Sequence, residues 1–257
     1  MSNSLLVAPR VIPPLDPDFR PAYLSLRASK RVGPHAFGAR RAGETPLAFA
    51  LERGTGEISS YRMAVAPGVD DEARKALAER VLKFLLWQRG AARVLVSGPP
   101  DLGRFLQTTY APGGARRFDA EFMADVYERP FEVRLVDAAE IPAEREDALA
   151  VGRHLKGCRI GFDAGGSDRK VAAVVDGKEV FSCEIVWDPK NQSDPDYHFS
   201  GVTDSIRRAA LHLPRIDAIG ISSAGIHIDN RTRVASLFRK VPPELFDRRI
   251  KTLYLDV

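Results

Sequence analysis

The sequence predicts an α/β protein with two organised regions behind an irregular arm. Three observations carry this reading. Short apolar stretches between Gly-rich and Asp-Gly turns read as paired strands. Longer stretches with apolar residues at helical spacing lie between them. The two kinds alternate along the chain, as in an α/β domain rather than an all-β one. With 257 residues and 44% apolar side chains, one large or two modest domains can each fill a core.

The elements follow in order. Residues 1–45 contain Pro9, Pro13, Pro14, Pro17, Pro21 and Pro34 among many arginines, and they read as an irregular, solvated arm. Residues 46–150 form an accessory α/β region. It opens with a hairpin around Gly54-Thr55-Gly56, and a helix over 70–88 follows, presenting Ala73, Leu77, Val81, Phe84, Leu85 and Trp87. A short apolar strand over 93–97 runs into Gly98-Pro99-Pro100. Helices over 102–110 and 118–127 and a strand over 131–136 complete the region.

The most informative stretch is RIGFDAGGSDRKVAAVVDGKEVF, residues 159–181. It reads as three strands, over 159–162, 170–175 and 179–182, joined by a Gly-Gly-Ser turn and an Asp-Gly turn. Glycines at such a tip let backbone N–H groups approach phosphate oxygens without an intervening Cβ. Ser167 adds a hydroxyl. Asp163 is placed to hold Mg²⁺ through water, because Mg²⁺ sheds its hydration shell reluctantly. Lys170 follows the turn on a strand, where it can meet a phosphate or pair across the sheet. Gly-Gly and Asp-Gly turns are also ordinary hairpin chemistry, so the motif has a purely structural reading beside the functional one.

Downstream, residues 188–197 are polar, contain two prolines and read as a loop. A helix over 200–213 follows, with Ser200 as N-cap, Asp204 in its first turn and Val202, Ile206, Ala209, Ala210 and Leu213 on one face. Pro214 ends it. An apolar strand then runs into the small turn Ser222-Ser223-Ala224-Gly225, and Asp229-Asn230 is a further turn by composition. The serines are small because the turn is tight or because they bond a substrate; composition does not separate the two. Residues 237–257 read as a loop, a short helix over 243–250 and a strand over 252–257.

The succession of D-x-G-G-S-x-x-K between strands, a helix, and AIGISSAGI with a following Asp resembles the N-terminal half of a ROK-type sugar kinase. That family belongs to the superfamily of actin, sugar kinases and heat-shock ATPases (ASKHA). The resemblance covers about 158–257 and implies a ribonuclease H-like (actin-like ATPase) half-domain over 156–257. It implies ATP and Mg²⁺ as cofactors, with Asp163 positioning the metal and Gly165, Gly166, Ser167 and Lys170 contacting phosphate. A sugar-like acceptor would face Ser222, Ser223, Gly225, Asp229 and Asn230. Two departures stand out: Ala224 replaces the usual proline, and Asp168-Arg169 intervenes before the lysine. The family's general base lies in an Asn-Asp pair that would follow residue 257, and Asp256 is a poor surrogate. The chain is therefore expected to be inactive alone, its cleft completed by a C-terminal half supplied elsewhere or by a homo-oligomer. A non-catalytic sugar- or nucleotide-sensing module is the alternative. A BadF-type ATPase activator is the further one, although Cys158 and Cys183 are not placed to ligate its cluster. The Gly54–Gly56 turn, helix and strand ending at Gly98 also resemble a second half of the superfamily placed first, against the plainer reading of an unrelated α/β region.

Composition narrows the classes. With 38 basic and 34 acidic residues the net charge is +4, too small and dispersed an excess to point to nucleic acid. No apolar run approaches the roughly 18 residues of a membrane span, and no signal peptide is apparent, so a cytoplasmic location is expected. The two cysteines read as thiols, and no Cys/His spacing suggests zinc. His198, His212 and His227 read as core or surface residues.

Overall fold

The computed structural model describes residues 45–54, 56–65, 71–146, 152 and 154–257. The expected arm, apart from Thr45, lies outside the described residues, as do Thr55 and Asp70. The chain is mixed α/β and divides into two units, Met1–Ala148 and Leu149–Val257.

In the first unit, β1 (Thr45–Glu52) and β2 (Ile58–Val65) form an antiparallel hairpin. Helix α1 (Asp71–Arg89) leads to β3 (Arg93–Ser97), and α2 (Pro100–Thr109) and α3 (Arg117–Tyr127) lead to β4 (Glu132–Leu135). The sheet order is β2-β1-β3-β4. Alternation along β1 puts Leu47, Phe49 and Leu51 on one face, where they meet Leu82 and Leu86 of α1 and Leu102 and Leu106 of α2. Each such side chain contributes roughly 1.5–3 kcal/mol by leaving water. The buried face of α1 is Leu77, Ala78, Val81, Leu82, Leu85 and Leu86. Phe84 and Trp87, expected on that face, are exposed. The helix is apolar over more than one face, and packing chose the stripe through Ala78, Leu82 and Leu86. Trp87 instead stacks on Phe122 of α3, with ring centroids 4.9 Å apart, and its Nε1 donates to buried Asp119 at 2.6 Å.

The second unit holds a sheet of order β7-β6-β5-β8. β5 (Cys158–Ala164), β6 (Asp168–Val175) and β7 (Lys178–Val186) form successive antiparallel hairpins. Asp176 (φ 49°) and Gly177 (φ 81°) both have the left-handed backbone that a two-residue hairpin turn requires. Helix α4 (Pro195–Ala210) then crosses the sheet, so that β8 (Ala218–Ser223) joins β5 in parallel. Its buried Val202, Ile206 and Ala209 pack with Ile160, Phe162, Ala164, Val171 and Ala173.

The helix begins five residues earlier than the sequence reading placed it. Asp194, not Ser200, caps it: the Asp194 carboxylate accepts from the Asp196 N–H at 2.9 Å, and Pro195 fits the first helical position. The apolar signal starts only one turn later, which hid the true start. The expected apolar strand is β8, and beyond the small turn two strands not expected, β9 (Ile226–Ile228) and β10 (Arg231–Val234), form a hairpin around Asp229-Asn230.

The expected helix over 243–250 is present as Pro243–Leu245 followed by a wider turn, Phe246–Ile250. The expected strand over 252–257 is not formed. The Leu255 and Asp256 N–H groups both bond to the Thr252 carbonyl, at 2.7 and 3.1 Å, and Leu253 enters the core. Backbone groups satisfied within a turn cannot join a ladder.

The two units are not copies of one another. In the second, the strand after the helix runs parallel to the first strand; in the first, β3 runs antiparallel to β1. That difference removes the reading of residues 46–146 as a displaced second half of the same fold.

Candidate phosphate site

Strand alternation decides what faces outward on the sheet of the second unit. Ile160, Phe162 and Ala164 turn to the core, so Gly161 and Asp163 turn to the other side. Register then assembles two rows across the four strands. One is small: Ser182, Ala172, Gly161, Gly220. The next is polar: Glu184, Lys170, Asp163, Ser222. Together they line an open depression of about 680 Å³.

Three of the candidate residues, Asp163, Lys170 and Ser222, are thus neighbours. The Lys170 ammonium, however, donates to Asp168 at 2.6 Å and lies 3.9 Å from Glu184. Asp168 holds the ammonium above its usual pKa, and in return Lys170 holds the Asp168 carboxyl below the usual carboxylate range. Lys170 is therefore a paired surface cation.

Gly165, Gly166 and Ser167 form the turn beyond the end of β5. Trp187 ties this turn back. Its indole N–H donates to the Gly165 carbonyl at 2.9 Å, and its backbone N–H donates to the Ser167 carbonyl at 3.1 Å. Among the described residues no backbone carbonyl outside the strand ladders accepts from the N–H groups of Gly165, Gly166 or Ser167. Neither glycine has a left-handed backbone. Close approach excludes a side chain at Gly165, where a Cβ would lie 2.5 Å from the Asp168 carbonyl oxygen; one on Gly166 would lie 2.5 Å from Lys190 Nζ, the movable end of a long side chain.

The remaining candidates separate from this group. Ser223 turns to the opposite face of the sheet and accepts from the Tyr254 hydroxyl at 2.8 Å. Gly225 has φ 136°, and a Cβ there would press into the Val234 carbonyl and lie 2.7 Å from Ala235 Cβ. Asp229 (φ 52°) and Asn230 (φ 58°) are the two left-handed residues at the tip of the β9–β10 hairpin. Their turn geometry accounts for all three without a ligand. His227 Nδ1 lies 3.3 Å from Thr232 Oγ1, and burial lowers its imidazole pKa.

Arg169 is a strut: its guanidinium bonds the Gly201 carbonyl and Asp204 of α4 and lies over Trp187. His198 is buried, its ring nitrogens 3.2 and 3.0 Å from the Asp194 and Pro189 carbonyls, so it anchors a loop. Cys158 and Cys183 are free thiols, opposite Val175 and Val171 in the ladders and so not neighbours.

Among the described residues no group of three or more His, Cys, Asp or Glu could hold a metal by itself. Asp163 alone suits Mg²⁺ that arrives with phosphate and keeps most of its waters, not a resident ion. Sequence reasoning missed Trp187 and Lys190. Their only signal was position, just after the third strand of the hairpin unit.

No protein-family model matches this sequence, and no curated protein matches it. Among solved structures, the chain is similar to an exopolyphosphatase from Cytophaga hutchinsonii ATCC 33406, at 11% identity and a TM-score of 0.22 over 70% of this chain. The chain spans 64% of that protein. A likeness this slight carries no weight for fold or chemistry. No helix among the described residues is long and apolar enough to cross a membrane.

Proposed function

We propose that the second unit is an ASKHA-type phosphate-binding module that takes Mg²⁺-bound nucleotide at the Gly165–Ser167 turn. One observation carries this reading. The carbonyls of Gly165 and Ser167 are drawn back by Trp187, while among the described residues no backbone carbonyl outside the strand ladders takes the N–H groups of the turn, at the end of the strand that bears Asp163. Such a tip presents donors to an anion and one carboxylate to its metal. The order of hairpins, crossing helix and parallel strand supports the same assignment.

Within that class, a sugar-kinase-like phosphotransferase would place its acceptor along Ser222, the neighbour of Asp163. A non-catalytic nucleotide-sensing module is the second reading.

Isothermal titration of the full chain with Mg-ATP tests the proposal. Binding should be measurable, and Asp163→Asn should weaken it by about tenfold or more, as loss of one charge-assisted contact does. Absence of binding by the unsubstituted chain, or unchanged affinity in the variant, sinks the reading. ATP turnover coupled to a panel of sugars then separates kinase from sensor.

A further inference from the structure

We propose that Lys190, not Lys170, is the cation that meets the phosphate at this turn; the inference rests on the phosphate-site reading above. Gly166 supplies the first argument. A Cβ on it would meet Lys190 Nζ at 2.5 Å and Cε at 2.7 Å, so the absent side chain is the space through which the ammonium passes. The atoms met are the movable end of a long side chain, so the glycine lets the ammonium lie against the turn without being required by the fold.

The second argument is charge. Among the described residues no carboxylate pairs with the Lys190 ammonium. The nearest in sequence, Asp188, is engaged by Asn191 Nδ2, at 2.9 Å to one oxygen and 3.0 Å to the other. Lys170, by contrast, already has Asp168 and Glu184. A bound phosphate could recruit Lys170 only by breaking a pair, whereas at Lys190 it meets an unpaired charge. The third argument is preorganisation. The short turn Pro189–Asn191 is held from three sides: His198 Nε2 lies 3.0 Å from the Pro189 carbonyl, Arg239 Nε donates to the Lys190 carbonyl at 3.1 Å, and Asn191 is bonded to Asp188. A fixed backbone limits the conformational freedom that the long side chain loses on binding.

The ligand class is an anion bearing phosphoryl oxygens, cradled between the turn N–H groups and one ammonium. The test is calorimetric titration of the full chain with Mg-ATP in four forms: unsubstituted, Lys190→Met, Lys190→Arg and Lys170→Met. Lys190→Met keeps the aliphatic stem and should weaken binding about tenfold, the loss of one charge-assisted contact. Lys190→Arg should restore most of it, and Lys170→Met should stay within about twofold, as a paired surface lysine would. Gly166→Ala, which displaces the ammonium without removing it, should reproduce the Lys190→Met loss. Melting temperatures of all variants separate lost binding from lost folding. Normal binding by folded Lys190→Met overturns the inference and leaves the phosphate site standing, as does a Lys170→Met loss as large as that of Lys190→Met. No binding by the unsubstituted chain overturns both.

Discussion

Arg169 reaches from β6 to Asp204 on α4, donating to its carboxylate at 2.9 Å, while a second guanidinium nitrogen bonds the Gly201 carbonyl. The Arg169 side chain is only 11% exposed and its cation lies 5.9 Å from the Trp187 ring centre. The same Trp187 ties back the Gly165–Ser167 turn, so one arginine couples helix, sheet and turn. Arg169→Met should destabilise the chain by about 1–3 kcal/mol, below the range for a fully buried pair because Asp204 is partly exposed. Urea unfolding measures this. Unchanged stability would remove the strut role.

Glycines at two kinds of position should respond oppositely. Gly225 combines φ 136° with a blocked Cβ direction, so Gly225→Ala should cost about 2 kcal/mol or more. Gly161 and Gly220 are paired strand residues around which a Cβ would meet nothing within 4 Å. Gly220→Ala should be neutral or stabilising by up to about 1 kcal/mol, through reduced chain freedom when unfolded. Chemical denaturation of both variants decides it; equal losses would contradict the geometry.

Tyr110 carries a buried hydroxyl with no hydrogen-bond partner among the described residues. Burial pushes its phenol pKa up, and Glu79 and Asp119 add to the rise. Tyr110→Phe removes a polar group whose desolvation is uncompensated. It should leave stability unchanged or raise it by about 1–3 kcal/mol. A clear loss on denaturation would reveal a partner for the hydroxyl.

His227 gives a pH dependence. Burial lowers its folded-state pKa below the usual imidazole value of 6.5. Between the folded value and 6.5 the unfolded chain therefore binds more protons, and stability rises with pH across that window. As pH falls below 6.5, the unsubstituted chain should lose stability relative to His227→Gln. Parallel melting curves of the two proteins from neutral pH down to pH 5 would refute the assignment.

Much of the second unit was legible without coordinates. Hairpin turns declare themselves locally, because few residues tolerate a left-handed backbone, and Asp176-Gly177 and Asp229-Asn230 both read as turns from type alone. Helix α4 was legible along its apolar face but not at its start, because Asp194-Pro195 capping lies upstream of the first apolar repeat. Residues 252–257 misled for the opposite reason: their alternation suits a strand, yet the preceding turn had already satisfied their backbone.

The sequence by itself determined the α/β class, the turn positions and the presence of a Gly-Gly-Ser tip beside Asp163, all of which depend on residues close along the chain. Tertiary structure alone decided which side chains share the site. Strand register set Asp163 beside Lys170 and Ser222 and sent Ser223 to Tyr254 on the other face. It also brought Trp187 and Lys190, more than twenty residues downstream, onto the turn. Such contacts follow from the pairing of β6 with β7, and pairing partners depend on what the whole sheet can bury rather than on local sequence.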